Sequence, residues 1–311
     1  MISRRNIRIK VMQLLYAIEA NNSENGQPDF SQLEKRLRKQ IDQTRSLTAF
    51  LLLNITEIAG YAEAYAQQRA SKNIRTTDDL NFNIKIAGNE IVWKIKENEG
   101  FKQVAADEKI NEYINKDFIR KKFLQLIDTQ EYIKYIAEQS RDRKSESEIL
   151  HFIFTDLLES DEDFLQIIEE YFPNWDDDCD ITEIMILQYL QKPQSIDFSE
   201  SISSDKWQYA KELLRTSIEK EDFLMSLIKP KLKNWDAERI AQIDMILLKM
   251  GICELLYFET IPTKVTINEY IDIAKDYSTK QSGQFVNGIL DSIHKELLSQ
   301  DKIQKKDFRK K

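Results

Sequence analysis

Glycine and proline are scarce in this chain of 311 residues, which contains seven Gly and five Pro. Both counts are far below average usage, and these two residues supply most tight turns and helix breaks. Their scarcity therefore predicts an all-α protein. The hydrophobic content of 41% is enough for a packed core, which argues against disorder throughout.

Cysteine and histidine are also rare, and the chain contains two of each: Cys179, Cys253, His151 and His294. They show no CxxC spacing and cannot assemble a Cys/His metal cluster. The sequence also contains no GxSxG motif, no HExxH motif and no Gly-rich phosphate-binding loop. We therefore predict no catalytic residues, no cofactor and no metal, and we expect a protein that is not an enzyme.

One spacing suggests a metal site, and it is formed by Asp176, Asp178 and Asp180. A calcium loop needs Gly at its sixth position and a bidentate Glu at its twelfth, but Ile181 and Leu187 occupy those positions here. Aspartates also stabilise the first turn of a helix, where they face the positive end of the helix dipole. We favour this second interpretation and expect a solvated helix start.

No apolar run reaches the length of a membrane span, and Arg and Lys interrupt the apolar residues near the N-terminus. These absences predict a cytoplasmic protein with no membrane partner. The formal charge of −8 is unevenly distributed, because 14 Asp and Glu fall between Glu146 and Glu183. Without those 14 acids, the 45 Lys and Arg outnumber the remaining 39 acids by six. The acidity is therefore local.

The basic N-terminal segment, which begins with Arg4, has the spacing of a helix. At 100° per residue, Arg5, Arg8, Met12 and Tyr16 fall on one stripe, and an apolar stripe lies beside it. Arginine offers forked donors to phosphates, and tyrosine can stack on a base, so this arm can bind RNA. A solvated helix end explains the same pattern, and periodicity alone does not separate the two interpretations.

Three short motifs recur in the same order, which suggests a duplicated three-helix unit at 147–191 and 207–256. The recurrences, at offsets of 59, 60 and 60 residues, are Glu162–Leu165 with Glu221–Leu224, Asn174–Asp176 with Asn234–Asp236, and Met185–Leu187 with Met245–Leu247. The alternative is a chance match between similar amphipathic helices. We favour duplication, with an acidic first copy.

Two charged residues of the second copy need an explanation. Glu254 continues an apolar stripe that includes Met250, and a carboxylate in a core must be paired or solvated. It is either a site acid or, as we prefer, a cap for a helix near Val265–Ile267 or the partner of a basic side chain. Lys249 lies one position off that stripe, where it can face solvent or RNA.

The N-terminal pattern RRxxRxxxxQxLY and a block from Phe223 to Leu297 resemble the NusB family of bacterial transcription antitermination factors. The matching motifs of the block are Leu227–Pro230, Cys253–Leu255, Ile261–Glu269, Ala274–Lys275 and Phe285–Asp291. The resemblance covers about residues 1–18 and 207–298, and its last motifs are the most specific.

The resemblance implies an all-α fold of two small helical bundles and a non-enzymatic role. Family members bind the boxA element of ribosomal RNA leader transcripts together with the ribosomal protein NusE, and they help RNA polymerase to read through terminators. The expected partners are therefore boxA-type RNA, NusE and the RNA polymerase antitermination complex. Matched residue by residue, the resemblance implies RNA contacts at Arg4, Arg5, Arg8, Tyr16, Lys249, Tyr277 and Phe285.

The chain departs from the family pattern at two positions and in its length. Gln281 stands where relatives can carry an acidic residue near the NusE and RNA surface, and Cys253 replaces a common Tyr. Because the family is about half as long, we expect a NusB-like core of residues 1–20 and 206–300 with a helical insertion at 21–205 and a basic tail at 301–311.

The role of the acidic copy at 147–191 stays open between two hypotheses. It either packs as part of the architecture, which we favour, or it competes with RNA for the arm and recruits a basic partner such as NusE. Two other functions also stay open. One is a helical protein-interaction adaptor without direct RNA binding. The other is an accessory domain of an RNA-modifying enzyme, although no Gly-rich cofactor-binding segment follows the block.

Overall fold

The computed structural model describes residues 2–21, 29–74, 76–193, 195–234 and 240–306. These residues form fifteen α-helices and no β-strand, so the all-α prediction is confirmed. The helices are α1 (Arg4–Asn21), α2 (Phe30–Ala70), α3 (Thr77–Leu80), α4 (Glu90–Glu97), α5 (Glu99–Asp107), α6 (Lys116–Ile127), α7 (Gln130–Ala137), α8 (Arg143–Phe152), α9 (Glu162–Tyr171), α10 (Trp175–Gln191), α11 (Ser204–Glu219), α12 (Glu221–Ile228), α13 (Gln242–Tyr257), α14 (Thr263–Tyr277) and α15 (Ser282–Ser299).

Some of the predicted features fall outside the described residues. They are most of the repeat motif Asn234–Asp236 and the basic tail beyond Lys306. None of the helices in the described ranges combines the length and the apolar composition that a membrane span requires.

The chain divides into two compact units. Unit 1 comprises Met1–Ile2 and Gln40–Ser201, and unit 2 comprises Ser3–Lys39 and Ile202–Lys311. Their formal charges are opposite, because unit 1 carries 18 Lys and Arg against 32 Asp and Glu, whereas unit 2 carries 27 against 21. The segments 3–39 and 202–311, which are far apart in the sequence, therefore form one basic unit.

Seven helices of unit 1 begin at capping side chains rather than at glycine or proline. Each of the helices α3 to α9 begins after a residue whose side chain accepts a hydrogen bond from a backbone N–H of the first turn: Thr76, Asn89, Asn98, Asn115, Thr129, Asp142 and Asp161. Each such cap stabilises its helix by about 1 kcal/mol. Short polar caps thus explain how a chain poor in Gly and Pro forms many short helices.

Aromatic rings fill the core of unit 1. Phe164 of α9 stacks on Phe50 of α2 and on Phe118 of α6, with ring centroids 5.9 and 5.3 Å apart. Phe172, which follows α9, lies 5.5 Å from the ring of Phe50. The acidic segment is therefore packed through its apolar side chains, as the architectural hypothesis expects.

The acidic motif of unit 1 begins a helix. α10 starts at Trp175 and carries Asp176, Asp177 and Asp178 in its first turn, which confirms the helix-start interpretation. The expectation of a solvated turn is wrong for Asp178, because its buried carboxylate accepts a hydrogen bond from Thr44 Oγ1 at 2.8 Å.

The two segments of the suggested repeat have the same helix order, α8 to α10 and α11 to α13. Burial follows an offset of 60 residues, since Phe164 and Ile168 are buried in α9, and Leu224 and Ile228 are buried in α12. Phe223, which matches Phe164 at an offset of 59, is exposed. The first sequence match is therefore one residue out of phase with the packing.

α13 is the central helix of unit 2. It contacts α1, α11, α12, α14 and α15, and every residue from Ile246 to Leu255 is buried. A Cβ added at Gly251 would lie 3.1 Å from the side chain of Leu290 and 3.3 Å from that of Tyr270, so glycine permits this close helix packing. A polar side chain in such a helix must find a partner inside the unit.

Candidate nucleic-acid interface

Arg8 of α1 lies in a buried ionic cluster of unit 2. Its Nε and Nη2 donate to Oε2 and Oε1 of Glu254 at 2.9 and 2.8 Å, and its Nη1 donates to Oε2 of Glu269 at 3.0 Å. The side chain of Arg8 is 2% exposed, and that of Glu254 is 0% exposed. This bidentate geometry is the strong form of an ion pair. It confirms the expectation that Glu254 pairs with a basic side chain.

Hydroxyl groups complete the surroundings of Glu254. Tyr209 Oη donates to Oε2 at 2.7 Å, and Thr266 Oγ1 donates to Oε1 at 2.8 Å. Burial alone would raise the pKa of Glu254, but the hydrogen bonds and charge of Arg8 and these two hydroxyls hold it below its ordinary value of 4.5. Burial would likewise lower the pKa of Arg8, but the hydrogen bond to Glu254 and the electrostatic interactions with Tyr209, Glu254 and Tyr270 together outweigh it, so that this pKa is raised.

Arg4 and Arg5 occupy the accessible start of α1. The guanidinium carbon of Arg4 lies 5.7 Å from the centroid of the Tyr209 ring, and Arg5 Nη2 lies 2.7 Å from Oδ2 of Asp276 at the end of α14. An ion pair that is open to solvent contributes about 0–1 kcal/mol. A phosphate could therefore replace Asp276 as the partner of Arg5 at little cost.

The structure separates the predicted RNA contacts by exposure. Arg4 is exposed, Arg5 is partly exposed, Tyr16 is 43% exposed and Tyr277 is half-buried. The remaining three are buried in unit 2, and they are Arg8, Lys249 and Phe285. The expectation that Arg8 faces phosphate on the same stripe as Arg5 is corrected, because Glu254 and Glu269 occupy its donors in the interior.

Lys249 also forms hydrogen bonds with acidic side chains inside the protein. Its Nζ donates to Oε1 of Glu19 in α1 and, at 3.0 Å, to Oε1 of Glu221 in α12. Its side chain is 8% exposed, so the expectation that it faces solvent or RNA is corrected. Phe285 belongs to the buried face of α15 and packs there as an apolar residue. Arg8, Lys249 and Phe285 therefore hold α1, α12, α13 and α15 in place.

Three residues that were not expected to contact Arg8 also build this cluster. Glu269, Tyr209 and Tyr270 surround Arg8, and the two rings lie with their centroids 5.9 and 5.7 Å from its guanidinium carbon. In the sequence, only Glu254 indicated that such partners exist, because a buried carboxylate requires hydrogen-bond donors. The position of Glu254 on its helical stripe could not identify which residues supply those donors.

Unit 1 contains a separate cavity of about 750 Å³ beside α2 and α4. Gly60, Tyr61, Trp93, Lys96 and Glu97 contribute to its walls, and Trp93 is 56% exposed. None of the predicted RNA-binding residues lines it. Among the described residues, no group of three His, Cys, Asp or Glu side chains could hold a metal ion.

Comparison with known proteins assigns the chain to a family. The sequence profile described as the NusB family matches residues 165–295, so the match begins within the segment expected as an insertion. The transcription antitermination protein NusB of Finegoldia magna is 38% identical over 96 residues, which cover 31% of this chain and 70% of that protein. The protein of the same name from Thermodesulfovibrio yellowstonii is 42% identical over 107 residues, which cover 34% of this chain and 71% of that protein.

A third relative and a protein of known structure are also similar to this chain in sequence. The NusB of Methylacidiphilum infernorum is 43% identical over 100 residues, which cover 32% of this chain and 69% of that protein. A solved structure of T. maritima NusB is 37% identical and covers 36% of this chain and 74% of that chain, with a TM-score of 0.30. Since the chain aligns with more than two thirds of these relatives at more than 30% identity, it belongs to the NusB family.

Proposed function

We propose that this chain is an RNA-binding transcription antitermination factor of the cytoplasm. It would bind boxA-type RNA together with NusE and promote read-through in ribosomal RNA operons. The observation that carries the proposal is the basic start of α1, where Arg4 and Arg5 remain accessible while Arg8 fixes the helix to the core through Glu254. Family membership and the positive charge of unit 2 support it.

In this proposal, three groups of residues have different roles. Arg4 and Arg5 contact phosphates, which supplies affinity that does not depend on sequence. Tyr16 and Tyr277 stack on or bind the edges of unpaired bases, which is how proteins recognise single-stranded RNA. Arg8, Lys249 and Phe285 act from the interior, because they position α1 and α15.

The proposed protein partners are NusE and the RNA polymerase antitermination complex. The relatives are transcription antitermination proteins, which supports a role in antitermination. Gln281 is exposed immediately before α15, where a partner can contact it. A neutral amide there, in place of an acidic side chain, removes one possible attraction to a basic protein.

The test is a binding experiment with the full chain. Labelled single-stranded boxA-type RNA and an RNA of the same composition in scrambled order are titrated with the protein, with and without purified NusE. We expect preference for the boxA-type RNA and tighter binding when NusE is present. Equal affinity for the two RNAs with no gain from NusE would refute the proposal.

A protein-interaction adaptor without RNA binding is the second candidate. It is favoured by the excess of 14 acids in unit 1 and by the cavity of that unit, since an exposed aromatic such as Trp93 is typical of interface hot spots. The same titration separates the two functions. Binding of NusE with no RNA binding, lost on Trp93→Ala, would favour the adaptor.

A further inference from the structure

The chain reverses direction after α15. Asp301 has a φ of 55°, in the left-handed region, and its N–H donates to Leu298 O at 3.1 Å. Lys302 N–H donates to Leu297 O at 2.9 Å. These two bonds form the Schellman motif, which ends a helix and turns the following residues back along it. Asp301 takes the position that glycine usually occupies.

The residues after this turn dock on the C-terminal end of α13. Lys305 Nζ donates to the carbonyl oxygens of Glu254 and Phe258, both at 2.8 Å. Lys306 N–H donates to Glu259 O at 2.9 Å, and its Nζ lies 3.0 Å from Oε2 of Glu259. We call residues 302–306 the C-terminal strap. The strap is thus held by the backbone N–H of Lys306 and by the side chains of Lys305 and Lys306.

The C-terminal strap and the basic start of α1 share the same neighbours. Glu254 binds Arg8 through its carboxylate and Lys305 through its carbonyl. The ring of Phe258 lies 5.2 Å from the ring of Tyr209, on which the guanidinium of Arg4 rests. One set of residues around the end of α13 therefore anchors both basic segments.

We propose that the C-terminal strap is a second part of the RNA-binding surface, in which Lys302 and Lys306 contact phosphates next to those bound by Arg4 and Arg5. Lys305 is a positioning residue, because its ammonium donates hydrogen bonds to the two carbonyl oxygens at the end of α13. The inference rests on the proposed RNA-binding function and extends it to a segment beyond residue 295, where the family match ends.

The charges of the C-terminal strap suit this role. Lys302 is exposed, and the side chain of Lys306 is 63% exposed. Glu259, the partner of Lys306, is itself 45% exposed, so the pair is weak and a phosphate can replace the carboxylate. A lysine ammonium is a compact charge on a flexible stem, which fits contact with a phosphate backbone rather than with base edges.

The test is the salt dependence of binding between the full chain and single-stranded boxA-type RNA. We compare the wild type with the double variant Lys302→Gln/Lys306→Gln. The matched control is Lys102→Gln/Lys121→Gln, two lysines of unit 1 that are also exposed and paired with acids. Loss of two phosphate contacts should reduce the slope of log affinity against log salt by about 1.4 and weaken binding roughly tenfold at 0.1 M salt. The control should match the wild type.

Lys305→Met gives an independent outcome, because it keeps the charges of Lys302 and Lys306 but removes the anchor. We expect weaker RNA binding with a thermal unfolding transition of unit 2 that remains cooperative. If the wild type binds RNA and the Lys302→Gln/Lys306→Gln variant has the same slope and affinity, the inference is overturned while the proposed function stands. If the wild type binds no RNA, both fall.

Discussion

Arg8 and Glu254 lie 246 residues apart in the sequence and form a bidentate ion pair in the interior of unit 2, with side chains that are 2% and 0% exposed. The pair joins the basic start of α1 to the central helix α13. It also divides the arginines of that segment into two kinds. Arg8 holds the helix in place, and Arg4 and Arg5 remain at the surface.

Removal of Arg8 should therefore destabilise the protein far more than removal of Arg5. Arg8→Met leaves the carboxylate of Glu254 buried without its counterion, which costs about 3–5 kcal/mol. Arg5→Met breaks an ion pair at the surface and should cost about 0–1 kcal/mol. Urea unfolding of the two variants measures the difference. Equal, small losses would show that the buried pair does not stabilise the fold.

A double variant tests whether the loss comes from the unpaired charge. Arg8→Met/Glu254→Gln removes both charges, so it should be more stable than Arg8→Met alone. The comparison uses the same urea unfolding experiment. A double variant that is less stable than Arg8→Met would point to a packing defect at Arg8 instead.

The same pair should make the stability depend on acidic pH. Because Arg8 holds the pKa of Glu254 below 4.5 in the folded protein, the contribution of Glu254 to stability is fully present above about pH 4.5. It is lost as the pH falls through the lower folded pKa. The difference in unfolding free energy between the wild type and Glu254→Gln should therefore shrink below pH 4.5. A constant difference between pH 6 and pH 3 would contradict the assignment.

Two residues with left-handed backbone predict stabilising substitutions. Asp301 has a φ of 55° and Lys109 has a φ of 52°, a region that costs a residue with a Cβ roughly 1 kcal/mol relative to glycine. We expect Asp301→Gly to stabilise unit 2 and Lys109→Gly to stabilise unit 1, each by about 0.5–1 kcal/mol. Thermal unfolding measures both. A lower midpoint for either variant would mean that its side chain contributes contacts that outweigh the backbone strain.

The helical class of the fold was predictable because it follows from composition. The scarcity of Gly and Pro excludes many tight turns, and the caps Asn89, Asn98 and Asn115 provide helix starts without them. The need of Glu254 for a partner was also visible, since a carboxylate on an apolar stripe cannot remain unpaired. These inferences depend on local sequence only.

The orientation of Arg8, Lys249 and Asp178 was not predictable, because each has a partner far away in the sequence. A prediction from helical spacing places charged residues on a polar stripe, and it assumes that this stripe faces water. That assumption fails where another helix supplies a matching group, as Glu254 does for Arg8, Glu19 for Lys249 and Thr44 for Asp178. Such pairs exist only after the helices have packed.

In the proposed function, the accessible start of α1 contacts the phosphates of RNA. The most direct measurement is the slope of log affinity against log salt for single-stranded boxA-type RNA, compared between the wild type and Arg4→Ala/Arg5→Ala. Loss of two contacts should reduce the slope by about 1.4, with weaker binding and an unfolding midpoint close to that of the wild type. A double variant that folds normally and keeps the wild-type slope and affinity would contradict this role of Arg4 and Arg5.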